Sequence, residues 1–133
     1  METLRHFIET NGIKAVVDYA DSNPNMANDE WSRTARHFKV VLRCQGRQLT
    51  THFSQGSAHT QEPTAADVLD CLASDSAGIE NARSFEDWCG EYGYDTDSRK
   101  AERIFKVCER QAESLKRLLN GQYETLLWNV ERA

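Results

Sequence analysis

The feature that most constrains the fold of this chain is a long amphipathic pattern from Arg99 to Leu119. Apolar residues recur in it at three- and four-residue spacing, which places them on one stripe of an α-helix. The stripe consists of Ala101, Ile104, Phe105, Cys108, Ala112, Leu115 and Leu119. Asp97 or Ser98 is suited to cap the start of this helix, and Asn120-Gly121 supplies the left-handed residue that ends it. Because the stripe must be buried, the rest of the chain has to provide a layer for this helix to cover.

Alternating apolar and polar residues predict that this layer is a small sheet. Residues 13–19 have the two-residue period of a half-buried strand. Residues 37–44 and 49–53 repeat that alternation on either side of Gln45-Gly46, a pair suited to a tight turn. The outward face of this sheet should be basic, and it is either simply solvated or a second partner surface. It comprises Arg36, His37, Lys39, Arg43, Arg47 and His52.

Shorter helices complete the predicted fold. An apolar stripe near the N-terminus ends at Asn11-Gly12, which is a typical helix end. Thr64 is the N-cap of a second helix, which Ala77-Gly78 is expected to end. Ser84 caps a third helix in the same way, and the apolar spacing within residues 123–130 predicts a last short helix that forms a hairpin with the long one.

The length and composition fit one domain with one core. At 133 residues, with 39% hydrophobic and 28% charged residues, the chain is expected to fold as a single domain, 1–133, of the α+β class. A three-stranded antiparallel β-meander would pack against four to five helices. The net charge of −5 disfavours direct binding of nucleic acid. No apolar run approaches the roughly 18 residues of a membrane span, and the first ten residues are unlike a signal peptide, so a soluble, cytoplasmic protein is expected.

The four cysteines form no recognisable metal or catalytic pattern. Cys44, Cys71, Cys89 and Cys108 include no C-x-x-C pair, and each falls on or beside a predicted apolar face. This placement is typical of reduced, packed thiols. A zinc site that combines them with histidines is the weaker alternative, because zinc ligands usually occur in pairs two to four residues apart. No metal, cofactor or catalytic residue is predicted.

Charge is distributed unevenly along the chain. Residues 62–97 contain ten Asp or Glu and one basic residue, Arg83, which is a net charge of −9, whereas residues 98–133 carry +3. Charged side chains are seldom buried unpaired, so this block predicts an acidic surface that binds a partner. The predicted partner-binding residues are Asp67, Asp70, Asp75, Glu80, Glu86, Asp87, Glu91 and Asp95. The alternative is that helix N-termini and the basic long helix take up these carboxylates.

Four segments of the chain carry a family resemblance. They are NPNM at 23–26, HFKVVLR leading to THFSQGSAH at 37–59, PTAADVLDCLASD at 63–75, and SFEDWCGEYGYDTDSRKAER at 84–103. The chain resembles a family of short proteins encoded by tailed phages, prophages and mobile elements of bacteria. The resemblance covers most of the chain, and its last segment is the most specific. It implies an accessory protein of a group that includes antagonists of bacterial defence such as anti-CRISPR proteins, and it brings no catalytic residues.

Together these features favour a non-enzymatic inhibitor. Its expected partner is a host protein or ribonucleoprotein, such as a CRISPR–Cas effector, in the cytoplasm of a bacterial host cell. The acidic block would occupy sites meant for phosphate and so block access of nucleic acid. One alternative is a small hydrolase-like enzyme that uses His59 with nearby carboxylates. Another is a regulatory or structural subunit of a phage.

Overall fold

The computed structural model describes residues 2–26 and 29–132. Its elements alternate between helices and three strands, which confirms the α+β class. In chain order they are α1 (Glu2–Asn11), β1 (Lys14–Ala20), α2 (Glu30–Thr34), β2 (Arg36–Cys44), β3 (Arg47–Gln55), α3 (Ala65–Asn81), α4 (Phe85–Tyr92), α5 (Arg99–Leu119) and α6 (Tyr123–Arg132).

The three strands form the predicted antiparallel meander, in the order β1-β2-β3. β2 and β3 pair from Arg36 opposite Gln55 to Cys44 opposite Arg47, so only two residues form the turn. These residues, Gln45 and Gly46, both have positive φ (51° and 83°). Two left-handed residues match the right-handed twist of the flanking strands, which is why this short turn closes the hairpin.

The core lies between one face of the sheet and the helices α1, α3, α5 and α6. On the sheet side, Phe38, Val40, Leu42 and Cys44 are at most 1% exposed, as their alternation predicts. The α5 stripe is confirmed, since most of its predicted members are buried and Ser98 caps its start. Asn120 ends α5 in the left-handed conformation, with φ 41°.

Helix α3 is longer than its sequence predicts. The expected end at Ala77-Gly78 is wrong, because the helix continues to Asn81. A glycine within a helix normally costs about 1 kcal/mol relative to alanine. Here it allows α4 to approach closely, since a Cβ at Gly78 would overlap the hydroxyl group of Tyr92. The glycine therefore marks a helix contact and not a helix end.

The short helix α2 is absent from the sequence-based prediction. Asp29 caps it, since its carboxylate accepts a hydrogen bond from the Ser32 amide at 2.8 Å. At the other side of the connection from β1 to β2, the Asn23 amide donates to the Ser54 hydroxyl at 3.0 Å. This connection therefore crosses the outer face of the sheet and reaches β3.

Candidate functional site

Helix α4 is built from local signals at both ends. The Ser84 hydroxyl caps it by accepting a hydrogen bond from the Asp87 amide at 3.1 Å. The Asp87 carboxylate in turn accepts from the Arg83 amide at 3.0 Å. Gly93, with φ 75°, ends the helix in the left-handed region. The segment from Ser84 to Ser98 contains five acidic residues and no lysine or arginine, so α4 and its turn carry a concentrated negative charge.

A small aromatic cluster holds α4 against the start of α5. Trp88, only 4% exposed, lies 5.2 Å from Phe105 between ring centroids. It also stacks on Tyr94 at 5.3 Å, and Phe85 contacts Phe105 at 5.2 Å. This cluster is separate from the main core. Trp88 is thus a packing residue of this cluster, whereas Tyr92 is half exposed and leans towards α3.

Three of the eight predicted partner-binding carboxylates have structural contacts within the protein. Asp67 completes a capping box, because its carboxylate accepts from the Thr64 amide at 2.9 Å. Asp87 accepts from the Arg83 amide, as described above. Glu80 forms an ion pair with Lys116 at 3.1 Å. For these residues the alternative reading holds, since caps and the long helix take up their charge.

Glu80 also joins three helices. It accepts a hydrogen bond from the Tyr123 hydroxyl at 3.1 Å, while Lys116, its ion-pair partner, lies over the Tyr123 ring at 5.3 Å. Burial, followed by the charge of Glu80, raises the pKa of Tyr123 to about 12. Glu80 is therefore a link between α3, α5 and α6 as well as a surface charge.

A second group of carboxylates remains without such contacts. Within residues 2–26 and 29–132, no ion pair or hydrogen bond involves the side chains of Asp70, Glu86, Glu91 and Asp95. The lysines of α5 that form ion pairs do so with Glu102, Glu113 and Glu80. Glu86, Glu91 and Asp95 are exposed on α4 and its turn, and we call these three residues the α4 acidic surface.

Asp75, the remaining predicted residue, faces a cleft. The cleft has a volume of about 260 Å³ and lies between β3, α3, α5 and the connection before β2. Its lining includes Met26, Trp31, Phe53, Cys71, Leu72, Asp75, Ile104, Val107, Cys108 and Gln111. Solvent reaches Asp75 through the cleft mouth, but protein atoms replace much of its hydration, and this burial raises its pKa to about 6.

The same cleft contains two thiols. Burial, and then the nearby charge of Asp75, raises the pKa of Cys71 to about 11 and that of Cys108 to about 12. Thiol nucleophiles and metal ligands react as thiolates, which require a lowered pKa. Both thiols are therefore protonated at neutral pH, which is the state expected of packed cysteines. All four cysteines of the chain are free, and Cys71 is the exposed one.

The predicted basic outer face of the sheet is corrected at three positions. His37 is buried. Its Nδ1 forms a hydrogen bond with the Ser54 hydroxyl group at 2.7 Å, and its Nε2 donates to the Ser32 carbonyl oxygen at 2.7 Å. Arg36 and Arg47 lie on the opposite parity, that of Phe38 and Cys44. Arg36 lies over the Phe38 ring at 5.5 Å, and Arg47 Nε donates to the Leu118 carbonyl oxygen at 2.8 Å. Lys39 and Arg43 remain exposed, so the basic face is smaller than the alternation predicts.

His59 lies in an exposed loop between β3 and α3. Its backbone is fixed, since its amide donates to the Gly56 carbonyl oxygen at 3.0 Å and its own carbonyl oxygen accepts from Arg36 at 2.7 Å. Among the described residues, no hydrogen bond joins its ring to a carboxylate or hydroxyl group. Across residues 2–26 and 29–132, no three His, Cys, Asp or Glu side chains are arranged to hold a metal ion.

Comparisons with known proteins do not identify a family for this chain. Neither family models, nor curated proteins, nor solved structures gave a match to this chain. No helix in the described ranges has the length and apolar character needed to cross a membrane.

Two features of the site were not predicted from the sequence. One is the cleft, whose walls come from four distant segments. The other is the division of the acidic block into carboxylates with internal contacts and carboxylates without them. Part of this division has a sequence signal, because Thr64 and Ser84 stand three residues before Asp67 and Asp87 in the capping pattern. The pairing of Glu80 with Lys116 has none, since 36 residues separate them.

Proposed function

We propose that this protein is a non-enzymatic inhibitor encoded by a phage or mobile element. In this proposal it acts in the cytoplasm of a bacterial host and binds a nucleic-acid-handling defence protein, such as a CRISPR–Cas effector. The α4 acidic surface makes the contact and blocks access of nucleic acid. The resemblance of residues 84–103 to phage-encoded proteins supports the class of partner, and it covers the same segment that carries this surface.

The observation that carries the proposal is the set of unpaired carboxylates at Glu86, Glu91 and Asp95. They are exposed, and among the described residues none forms an ion pair. A groove that binds nucleic acid presents lysines and arginines at positions suited to phosphates. Carboxylates on a firmly packed helix can occupy those positions at a lower entropic cost than a flexible acidic tail. Occlusion by charge is thus the mechanism best supported by these residues.

The decisive variant reverses only carboxylates that do not support the fold. Asp67, Asp87 and Glu80 are unsuitable, because caps and an ion pair would be lost with them. The triple variant Glu86→Lys, Glu91→Lys and Asp95→Lys leaves those contacts in place. A matched control makes the same change in charge on other exposed glutamates of the chain. It consists of Glu9→Lys, Glu109→Lys and Glu124→Lys.

The experiment captures partners from a bacterial lysate that contains CRISPR–Cas complexes and then titrates the purified partner with its nucleic acid. We expect the wild type and the control to capture the same partner and to block nucleic acid at about one copy per partner. The triple variant should lose this capture, and wild-type capture should weaken as salt rises. Equal capture by the triple variant and the control would contradict the proposal.

The same titration separates the two alternatives. A hydrolase would act at far less than one copy per target and would lose activity in His59→Ala, whereas an occluding protein would not depend on His59. A phage subunit that binds only its own kind would leave the lysate without a captured host partner and would elute as an oligomer in size-exclusion chromatography. Either result would replace the inhibitor proposal.

A further inference from the structure

A continuous groove runs between β3 and α5. Three adjoining cavities of about 420, 260 and 260 Å³ follow one another along it. The first two share Leu49, Thr50 and Ser114, and the last two share Thr51, His52, Asn25, Val107 and Gln111. The strand residues from Arg47 to Ser54 span about 25 Å at roughly 3.3 Å per residue. The groove is therefore long enough for an extended segment of seven or eight residues.

Two contacts fix the direction of the helix beside the strand. Arg47 Nε donates to the Leu118 carbonyl oxygen at 2.8 Å at one end. Gln111 Nε2 donates to Thr51 Oγ1 at 3.4 Å near the middle. As residue numbers rise along β3, they fall along α5, so the strand and the helix run in opposite directions. The edge of β3 forms one side of the groove, and α5 forms the other.

The edge of β3 that faces the groove is unpaired. β3 is the last strand of the sheet, with β2 on its other side. In the ranges that the structure describes, no backbone–backbone hydrogen bond outside the sheet involves residues 47–55. Alternate N–H and C=O groups of an edge strand point away from the sheet and are a template for another strand. Peptide-binding domains that add a strand use such an edge beside a helix.

The chemistry of the groove changes along its length. Arg110 and Arg117 are exposed on α5 and line the outer half. Val107, Ile104 and the half-exposed Trp31 make the inner half largely apolar. Asp75 lies at the inner end. An occupant that fits has carboxylates at the arginine end and a large apolar side chain in the cleft.

We propose that this groove binds an extended peptide segment of another protein, which pairs antiparallel with β3 as a fourth strand. In that direction the C-terminal half of the peptide lies beside Arg110 and Arg117 and carries acidic residues. An apolar side chain from its N-terminal half fills the cleft at Ile104, Val107 and Trp31. A second copy of this chain fits poorly, since pairing two β3 edges would bring two arginine-lined helices together. The groove is distinct from the α4 acidic surface, and the proposal does not depend on the proposed function.

The test selects a random decapeptide library on the wild-type protein and measures the enriched peptides by fluorescence polarisation. Val107→Arg should block the groove and weaken binding at least about tenfold, because a long cation replaces a small apolar side chain. Arg110→Glu with Arg117→Glu should weaken binding about tenfold through like-charge repulsion. The matched control, Arg99→Glu with Arg103→Glu, makes the same change in charge on the same helix outside the groove and should bind normally.

A second measurement tests strand pairing itself. Peptides that are N-methylated at alternate amides lose the backbone donors on one edge, so one of the two methylation patterns should abolish binding. Unfolding midpoints confirm that each variant is folded, and the exposed arginine variants keep the test valid if Val107→Arg is unstable. Failure to enrich any peptide would overturn the proposal, as would peptides that bind both groove variants normally or tolerate both methylation patterns.

Discussion

The carboxylates of α3 and those of α4 began as one acidic block in the sequence, but their surroundings differ. Helix α3 packs against α1, α5 and α6, so two of its charged residues meet other elements: Asp75 faces a cleft and Glu80 pairs with Lys116. Asp67 only caps its own helix, as Asp87 does in α4. Helix α4 packs mainly on the start of α5 through one apolar side. Within the described ranges, none of its exposed carboxylates Glu86, Glu91 and Asp95 forms an ion pair.

This difference shows that charge density in a sequence does not determine surface charge. The position of a helix in the layers of the fold decides how many neighbours its polar side has. A helix in the middle of the helical layer has its carboxylates partly neutralised, whereas a helix at the edge presents them to solvent. Only the second kind provides charges for a partner at no cost to the fold.

The largest expected effect comes from removing the support of α4. Trp88→Ala deletes the central ring of the aromatic cluster, and such a change in a buried site typically costs about 3–5 kcal/mol. Denaturant unfolding should show this loss, and hydrogen exchange should become fast in α4 while the amides of α3 stay protected. The control Trp88→Phe keeps a ring and should cost less. A loss shared evenly by α3 and α4 would show that the two regions are one cooperative unit.

A smaller effect separates paired from unpaired carboxylates. Glu80→Gln weakens the link to Lys116 and Tyr123 and should lower the free energy of unfolding by up to about 1 kcal/mol, because the pair is partly exposed. The matched change Glu91→Gln should alter it by less than about 0.5 kcal/mol. Thermal or denaturant unfolding compares the two variants directly. Equal losses would contradict the division between α3 and α4.

A third effect depends on pH. The pKa of Asp75 is about 6 in the folded protein against its usual 3.8, so the folded state binds this proton more tightly. Stability should therefore fall as pH rises from about 4 to about 6, and the cost persists above pH 6. Asp75→Asn removes the cost, so the variant should match the wild type near pH 4 and exceed it at pH 7. Urea midpoints at the two pH values measure this, and parallel pH profiles would refute it.

Local patterns predicted most of the fold. The stripe of α5, its Ser98 cap and the Gln45-Gly46 hairpin are each specified within a few residues, and the structure contains all three. The capping box before α3 and the Ser84 cap of α4 were likewise predictable. These elements were predictable because the interactions that form them join residues close together in the chain.

Features that depend on distant contacts were not predictable in the same way. Gly78 looked like a helix end because its partner, Tyr92, is on another helix. His37 looked exposed because the five-residue helix α2 that covers it leaves almost no periodic signal. The cleft at Asp75 has no sequence signal, because its walls come from four distant segments. The sequence shows which residues are charged or apolar, but the packing of the elements determines which of these residues contact each other.

The central claim is that Glu86, Glu91 and Asp95 are free to bind a cationic partner. The most direct measurement is the affinity of the captured partner for the triple lysine variant and for its charge-matched control across a range of salt concentrations. The account predicts that the control retains the wild-type affinity and its decline with salt, while the triple variant loses measurable binding. An affinity and salt dependence that are the same for both variants would contradict it.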